Sequence, residues 1–322
     1  MDVIGVGTPC FDILAHISRL PKENQGASIQ EYSFQGGGKV PTAIITLSRL
    51  GARCGMIGTV GGCSYGEFCL NDFIRHGVDT SKIFIDETGE TPFSIVLADE
   101  QTHGRSIMYH EGTAGSIQIN NLDKEYIQSS RYLHLCDVTP ETIQAAKWAQ
   151  EKGIGVVFDA DYQPGLEKII PLIDVFIASE FYYKAVFQDK DYERNSKKIQ
   201  DMGPDTVVFT LGERGCVGIK GNHFFSEEGF HVMVKDTTGA GDVYHGAFIF
   251  GLLQNWDIQK TARFANAMAA IKCTRIGGRA GIPSLKTVID YLETGEIDYD
   301  EIDKRVEFYS NRSLHTIQKA SR

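Results

Sequence analysis

The sequence contains no long apolar run. A helix that crosses a bilayer needs about 20 consecutive apolar residues, and no run in these 322 residues approaches that length. Met1 is followed by Asp2 rather than by a basic and then apolar leader, so no secretory signal is expected. These absences predict a cytoplasmic protein with no membrane partner.

Positive charge is scarce as well. The chain has 32 Lys and Arg residues against 42 Asp and Glu residues, a formal net charge of −10, and no run of basic residues. Proteins that bind nucleic acid usually concentrate basic residues on one face, so no nucleic-acid partner is expected. Phosphate binding stays open, because local backbone dipoles can bind phosphate whatever the net charge.

Closely spaced cysteine pairs are also missing. The number of cysteines is odd and no two have C-x-x-C spacing; they are Cys10, Cys54, Cys63, Cys69, Cys136, Cys216 and Cys273. Neither a disulfide framework nor a zinc site is therefore expected. Reduced thiols agree with a cytosolic location.

Two familiar phosphate-binding motifs are incomplete. The segment that begins Gly5-Val6-Gly7 has Cys10 where a dinucleotide-binding fingerprint needs a third glycine. Gly38-Lys39 is followed by a valine where a P-loop needs Ser or Thr for magnesium. The sequence thus argues against both a Rossmann dinucleotide site and a P-loop.

Short apolar runs alternate with segments of helical periodicity along most of the chain. Strands are predicted at 3–6, 55–58, 132–135, 155–158, 174–177 and 206–209, and helices at 42–50, 67–76, 140–152, 195–202, 241–253, 258–274 and 284–292. Such alternation is typical of an α/β fold with a mostly parallel sheet and helices on both faces. We predict a single domain over residues 1–322.

Two segments interrupt this alternation. Residues 13–35 and 91–112 have strand and turn patterns, with a hairpin connection at 99–104. They are predicted either to form a small antiparallel sheet, a lid on the main domain, or to be edge strands of the main sheet. The polar end at 296–322 is either helical or partly disordered and carries no recognisable motif.

The most informative segment runs from Asp236 to Asp242, with the sequence Asp-Thr-Thr-Gly-Ala-Gly-Asp. Small residues before a predicted helix leave backbone N–H groups unpaired at its positive end, and that geometry binds phosphate. A neighbouring carboxylate at Asp242 can accept the proton of an alcohol that attacks the phosphate. The alternative is that Asp242 only caps the helix.

This segment is one of several motifs that follow one another in a fixed order. The others lie at 5–12, 36–38, 50–52, 60–68, 77–80, 158–162, 210–215, 265–267 and 281–283. From about residue 2 to residue 292 the succession resembles the ribokinase-like (PfkB) carbohydrate kinase family. The resemblance implies a ribokinase-like α/β fold with a small β-sheet lid. It also implies transfer of the γ-phosphoryl group of ATP to a hydroxyl of a sugar or sugar-like molecule.

The resemblance also implies roles for individual residues. Asp242 matches the catalytic base, and the N–H groups of Gly239, Ala240 and Gly241 match the anion hole. The residues that match the substrate-binding part of the pocket are Asp12, Gly37, Gly38, Lys39 and Thr42. Those that match nucleotide-binding positions are Ser179, Thr210, Gly212, Gly215 and Asn266.

Metal sites are implied less completely. Positions that match a potassium site beside the anion hole are Asp236, Thr238, Lys272, Arg275, Gly277 and Gly281, mostly through carbonyl oxygens. The family's Asn-x-x-Glu motif, which organises Mg²⁺ through water, appears as Ser179–Tyr182, with a tyrosine in place of the glutamate. Glu180 or Asp161 is expected to compensate, since a tyrosine cannot replace a carboxylate ligand.

Departures on the substrate side leave the acceptor open. Cys10 and Thr42 stand where many members have asparagine. The main hypothesis is an ATP-dependent sugar kinase, and the alternative is a nucleotide- or metabolite-binding sensor of the same fold with weakened catalysis. By family analogy we expect a homodimer that pairs through the lid.

Overall fold

The structure, a computed structural model, describes residues 1–102 and 104–310. His103, in the predicted hairpin connection, and residues 311–322 of the polar end lie outside the described residues. Within the described part, the polar end contains a helix at Tyr299–Ser310. No helix among the described residues has the length and apolarity that crossing a membrane requires.

The described residues form two separate sheets. The strands are β1 (Val3–Val6), β2 (Cys10–Ile17), β3 (Ile29–Gly37), β4 (Cys54–Gly61), β5 (Asp79–Asp86), β6 (Phe93–Asp99), β7 (Arg105–His110), β8 (Tyr132–Leu135), β9 (Gly155–Ala160), β10 (Val175–Ser179), β11 (Thr206–Thr210), β12 (Cys216–Lys220) and β13 (His223–Glu227). Nine of them form the large sheet in the order β13-β12-β11-β10-β9-β8-β1-β4-β5, and four form the small one in the order β3-β2-β6-β7.

The large sheet is parallel except at one edge. Its strands from β5 across to β11 pair in parallel, while β12 and β13 add an antiparallel edge. The central strands are buried on both faces, as the near-continuous apolar runs of β1 and β9 require. The predicted α/β architecture is therefore present, although the antiparallel edge was missed.

Helices cover both faces of this sheet. They are α1 (Lys39–Arg49), α2 (Ser64–Arg75), α3 (Lys124–Ile127), α4 (Pro140–Glu151), α5 (Leu166–Ile169), α6 (Glu180–Val186), α7 (Tyr192–Gln200), α8 (Ala240–Leu253), α9 (Ile258–Lys272), α10 (Leu285–Thr294) and α11 (Tyr299–Ser310). Helix α8 packs against α1 and α9 and is buried continuously from Val243 to Leu253. A helix that is apolar on all sides belongs in a core. Because α8 is packed in this way, the position of its first turn is fixed.

The small sheet is separate from the large one, so the prediction of edge strands is wrong. Strand β2 pairs antiparallel with β3 and parallel with β6, and β6 pairs antiparallel with β7. One row across the four strands consists of Gln35, Asp12, Ser94 and Tyr109, and the next row, on the opposite face, consists of Phe34, Ile13, Ile95 and Met108. The first row is polar and the second is apolar, and we call the face that carries the first row the polar face.

Candidate active site

The loop before α8 is held by the side chain of Asp236. Its Oδ1 accepts hydrogen bonds from the Thr238 N–H at 2.8 Å and the Thr238 hydroxyl at 2.7 Å, and its Oδ2 accepts one from the Gly277 N–H at 2.7 Å. Gly239 follows with φ 74° and is the N-cap of α8. A residue with a side chain is strained in this left-handed region, so glycine lets the chain turn straight into the helix.

Three backbone N–H groups at the start of α8 are not used inside the described protein. Ala240 N–H donates to Thr237 O at 3.2 Å, but the described residues include no acceptor for the N–H groups of Gly239, Gly241 and Asp242. A methyl group on Gly241 would meet no heavy atom within 4 Å, so the space beside this residue is open. Free amides at a helix N-terminus form an anion-binding site.

The carboxyl group of Asp242 lies in the first turn of α8. The N-cap of this helix is Gly239, so the prediction that Asp242 only caps the helix is wrong. Burial, and then the negative charge of Asp159, raise the pKa of Asp242 to about 7, although Lys39 and Arg105 act in the opposite direction. A carboxyl with a pKa near neutrality is matched to accepting the proton of an alcohol at neutral pH.

The ammonium group of Lys39 lies between the carboxylates of Asp159, which belongs to β9, and Asp161, which directly follows this strand. Lys39 Nζ is 3.9 Å from Asp159 Oδ1 and pairs directly with Asp161. Burial lowers the pKa of Lys39, but the two carboxylates outweigh burial and raise the pKa overall. Lys39 therefore stays protonated and offsets part of the negative charge around Asp242.

Asp12 occupies the polar face of the small sheet. Its Oδ1 accepts a hydrogen bond from the Ser94 hydroxyl at 2.6 Å, and a Cβ on Gly37 would lie 2.2 Å from its Oδ2. Burial raises the pKa of Asp12, while Ser94 and Arg279 act in the opposite direction. The structure thus brings Asp12 against the glycine turn that precedes α1, and the binding of substrate there stays a prediction.

Thr42 is placed differently from the other predicted substrate residues. It is 1% exposed, and its hydroxyl accepts a hydrogen bond from Arg279 Nε at 3.3 Å. The same guanidinium donates to Gly37 O at 2.8 Å and pairs with Asp72 Oδ2 at 2.7 Å. The structure therefore supports Thr42 as part of the packing behind the glycine turn and gives no support for its direct contact with a substrate.

The predicted nucleotide residues lie along the far end of the large sheet. Thr210 ends β11, and Gly212 and Gly215 follow with φ 63° and 87°. Asn266 Nδ2 donates to Glu227 O at 3.2 Å and to the next carbonyl at 3.1 Å. These two hydrogen bonds hold the end of β13 and the residue after it beside the loop at 212–215.

Glu180, which was expected to compensate for the missing magnesium carboxylate, is held in ion pairs. Its Oε1 is 2.5 Å from Arg214 and its Oε2 is 3.2 Å from Lys184, so both oxygens are paired. Tyr182 is buried and packs on Phe176. The described residues contain no group of three metal-binding side chains. Its two ion pairs oppose direct coordination of Mg²⁺ by Glu180, and the expected contact through water stays a prediction. Ser179, the first residue of this motif, caps α6 by accepting from the Tyr182 N–H at 3.4 Å.

The residues predicted for potassium do meet behind the anion-hole loop. Lys272 Nζ donates to the carbonyl oxygen of Asp236 at 2.9 Å, and a Cβ on Gly281 would lie 2.5 Å from Lys272 O. Arg275 points its guanidinium elsewhere, to Asp303 at 2.5 Å. The carbonyl of Asp236 is thus already bonded to a cation of the chain itself.

Sequence reasoning missed two basic residues of this site. Arg105 of β7 reaches from the small sheet to Thr237, where its Nη1 donates a hydrogen bond of 2.9 Å to the Thr237 hydroxyl. Arg279 is fully buried behind Gly37. Arg105 carries no local motif. Arg279 follows Gly277-Gly278, and a charged residue directly after a glycine pair is the sequence signal that would have indicated it as a site residue.

Comparison with known proteins gives one family match. The model of the family described as pfkB family carbohydrate kinase matches residues 7–285. An ATP-dependent ribose-1-phosphate kinase from Halopiger xanaduensis is 27% identical over 90% of this chain and 97% of its own length. A 5-dehydro-2-deoxygluconokinase from Geobacillus kaustophilus is 26% identical over 91% of this chain and 94% of its own.

Solved structures agree with the fold. The ribokinase of Thermotoga maritima superposes with a TM-score of 0.79 at 23% identity, over 91% of this chain and 100% of its own. An E. coli protein with the provisional name ribokinase II, solved with ATP and Mg²⁺, gives 0.79 at 21% identity, over 91% and 99%. These likenesses confirm the ribokinase-like fold predicted from the sequence.

Proposed function

The chain belongs to the pfkB family of carbohydrate kinases, and on that basis we propose that it transfers the γ-phosphoryl group of ATP to a hydroxyl of a sugar or sugar-like acceptor. The relatives named for such kinases support ATP as the donor and a sugar as the acceptor class. The observation that carries the proposal is the pairing of free N–H groups at 239, 241 and 242 with a carboxyl whose pKa is about 7.

The chemistry requires a base and a place for the charge on the moving group. Asp242 takes the proton as the acceptor oxygen bonds to the γ-phosphorus, and the bond from that phosphorus to the β–γ bridging oxygen breaks to release ADP. The N–H groups of Gly239, Gly241 and Asp242 hold the transferring phosphoryl. Phosphoryl transfer depends mainly on such positioning and electrostatic stabilisation, and Ala240 contributes less because its N–H already donates to Thr237 O.

The two substrates approach from opposite ends of the site. Asp12, Gly37, Gly38 and Lys39 bind the acceptor, because a carboxylate accepts from neighbouring hydroxyls and an ammonium donates to them. Ser179, Thr210, Gly212, Gly215 and Asn266 line the ATP side. Between the two lies Asp242.

The small sheet acts as a lid over the acceptor. Its polar face carries Asp12, Tyr109 and Arg105, and the Arg105 guanidinium already contacts the loop at Thr237 O and Oγ1. An arginine delivered by a lid places a positive charge near the phosphoryl as water is excluded. Arg105 is thereby a positioning residue for lid closure.

Mg²⁺ accompanies ATP in the E. coli structure, and we propose the same donor complex here. Bound Mg²⁺ would neutralise charge on the phosphates. The chain does not supply the usual carboxylate for it, since Tyr182 is buried and Glu180 is paired. No step of the proposed reaction depends on a protein ligand to the metal.

The same missing carboxylate favours the second candidate, a nucleotide- or metabolite-binding sensor with weakened catalysis. A sensor would bind ATP without efficient transfer. The retained Asp242 and its free amides argue for the kinase, because binding alone does not need a base.

A homodimer through the lid is also proposed. The face of the lid away from the site carries the apolar row Phe34, Ile13, Ile95 and Met108, and Met108 is 52% exposed. Ile107, Met108 and Tyr109 of the edge strand β7 are all more than half exposed, and an exposed apolar edge strand favours association with a second copy. Sedimentation velocity should give a dimer that Met108→Glu dissociates; a monomeric wild type contradicts the proposal.

The function is tested by measuring ADP formation with Mg·ATP across a panel of sugars, sugar phosphates, sugar acids and nucleosides. We expect turnover on at least one acceptor and a loss of about 10²–10⁴-fold in Asp242→Asn, because a positioned general base contributes that much. Asp290→Asn is the control, since Asp290 pairs on α10 with Lys286, whose side chain is 80% exposed. ATP binding without turnover on any acceptor supports the sensor instead.

A further inference from the structure

Lys272 is a lysine whose charge is enclosed by the protein. Its side chain belongs to the last residue of α9 and the residue is 0% exposed. Nζ donates to the carbonyl oxygen of Asp236 at 2.9 Å. A buried ammonium is costly unless it is bonded and its charge is offset, so its position at this carbonyl requires an explanation.

The position of this ammonium coincides with the start of the anion-hole loop. Asp236 fixes Thr238 and Gly277 through three hydrogen bonds to its carboxylate, and Gly239 follows one residue later. We infer that Lys272 Nζ is a built-in monovalent cation that holds the anion-hole loop, in the place where an exchangeable potassium ion was expected. The inference rests on the proposed function for its catalytic meaning.

The electrostatics around Asp236 agree with a permanent positive charge. Burial raises the pKa of Asp236, but the charge of Lys272 and the hydrogen bonds from Thr238 and Gly277 outweigh burial and lower the pKa overall. The carboxylate and carbonyl of Asp236 are thus bonded to donors of the chain itself, with no ion required. An ammonium carries the same single charge as K⁺ and bonds to the same carbonyl oxygens, and its covalent link to α9 prevents exchange with solvent.

A potassium ion in the same place would be repelled. Two positive charges bound to one carbonyl oxygen inside a protein repel each other strongly. The position of the Lys272 ammonium at the Asp236 carbonyl therefore does not fit a potassium ion bound to the same oxygen. No step of the reaction passes through an exchangeable ion.

The inference predicts a protein that ignores potassium. The thermal midpoint and, where the acceptor panel gives turnover, kcat are measured in tetramethylammonium chloride and then with added KCl at constant ionic strength. We expect the wild-type midpoint to change by less than about 1 °C and kcat by less than about twofold. Activation of the wild type by KCl of fivefold or more, or a midpoint rise of several degrees, overturns the inference.

Removing the Lys272 ammonium should make the thermal midpoint depend on KCl. In Lys272→Met the carboxylate of Asp236 loses its cation, so we expect a lower midpoint in tetramethylammonium that KCl raises by several degrees. Lys235→Met is the matched control: Lys235 precedes Asp236 and pairs with Glu31, so its response to KCl should equal that of the wild type. A Lys272→Met midpoint that KCl leaves unchanged contradicts the inference.

The two readouts separate this inference from the proposed function. The midpoint is measured without substrate, so a chain that phosphorylates nothing yet ignores KCl keeps the Lys272 inference and loses the kinase proposal. If the chain phosphorylates an acceptor but its rate depends on KCl, the kinase proposal is kept and the Lys272 inference is lost. The wild-type titration decides the inference by itself even when Lys272→Met does not fold.

Discussion

The two ends of the loop from Asp236 to Asp242 differ in almost every physical respect. At the Asp236 end the carboxylate accepts three hydrogen bonds and the carbonyl is bonded to a buried ammonium. At the Asp242 end the described residues offer no acceptor for three N–H groups, and open space adjoins Gly241. The carboxylate and carbonyl of Asp236 are bonded within the protein, whereas the N–H groups at the Asp242 end are available to a ligand.

The pKa shifts of the two carboxyl groups follow this difference. The charge of Lys272 and the hydrogen bonds keep the pKa of Asp236 below its ordinary value in spite of burial, whereas burial and Asp159 raise the pKa of Asp242 to about 7. Pairs of carboxyl groups pushed apart in this way have separate roles. We therefore expect a structural role for Asp236 and propose Asp242 for proton transfer.

The comparison is tested most strongly by removing the charge at the Asp236 end. Asp236→Asn puts an amide N–H₂ against donors and leaves Lys272 without its counter-charge, so we expect the free energy of unfolding to fall by about 3 kcal/mol, the scale of a lost hydrogen bond to a charged group. Urea denaturation measures it. Asp303→Asn, which breaks the exposed pair with Arg275, should cost less than about 1 kcal/mol. Equal losses in both variants would show that the bonds to Asp236 stabilise the fold no more than an exposed ion pair does.

Two neighbouring glycines sharpen the same contrast. Gly239→Ala forces a side chain into a backbone with φ 74°, with its Cβ 2.7 Å from Gly278 Cα, so we expect a loss of about 1–3 kcal/mol in stability. Gly241→Ala meets nothing within 4 Å, so the fold should be kept, while the methyl group crowds the anion space and lowers kcat about 10–100-fold. Thermal midpoints and kcat for both variants check this. Full activity in Gly241→Ala is the contrary result.

The last stability test concerns the end of the loop where Asp242 lies. The folded-state pKa of Asp242, about 7, lies above its ordinary value of 3.8, so the unfolded chain releases this proton first and stability falls as pH rises from about 4 to about 7. Asp242→Asn removes that penalty. The difference in thermal midpoint between Asp242→Asn and wild type should therefore grow over this range and stay constant above it. A difference that is the same at pH 4.5 and pH 8 contradicts the raised pKa.

Much of this arrangement follows from local sequence. Small residues before α8 predict its free amides, and the alternation of apolar runs predicts the parallel sheet. The destinations of long side chains do not follow, because they depend on elements far away in the chain. Lys272 matches a position in the potassium set, and nothing in its local sequence predicts that its ammonium extends to the Asp236 carbonyl. Glu180 was expected at a metal, and nothing in its local sequence predicts its pair with Arg214.

The account depends on Asp242 taking the proton, and the pH dependence of kcat/KM measures this directly. On an acceptor that the panel identifies, kcat/KM of the wild type should rise from pH 5 and level off above a pKa of about 7. In Asp242→Asn the residual rate should lack this rise. A variant that keeps the wild-type profile, or a wild type whose rate is flat from pH 5 to 9, would show that Asp242 is not the base.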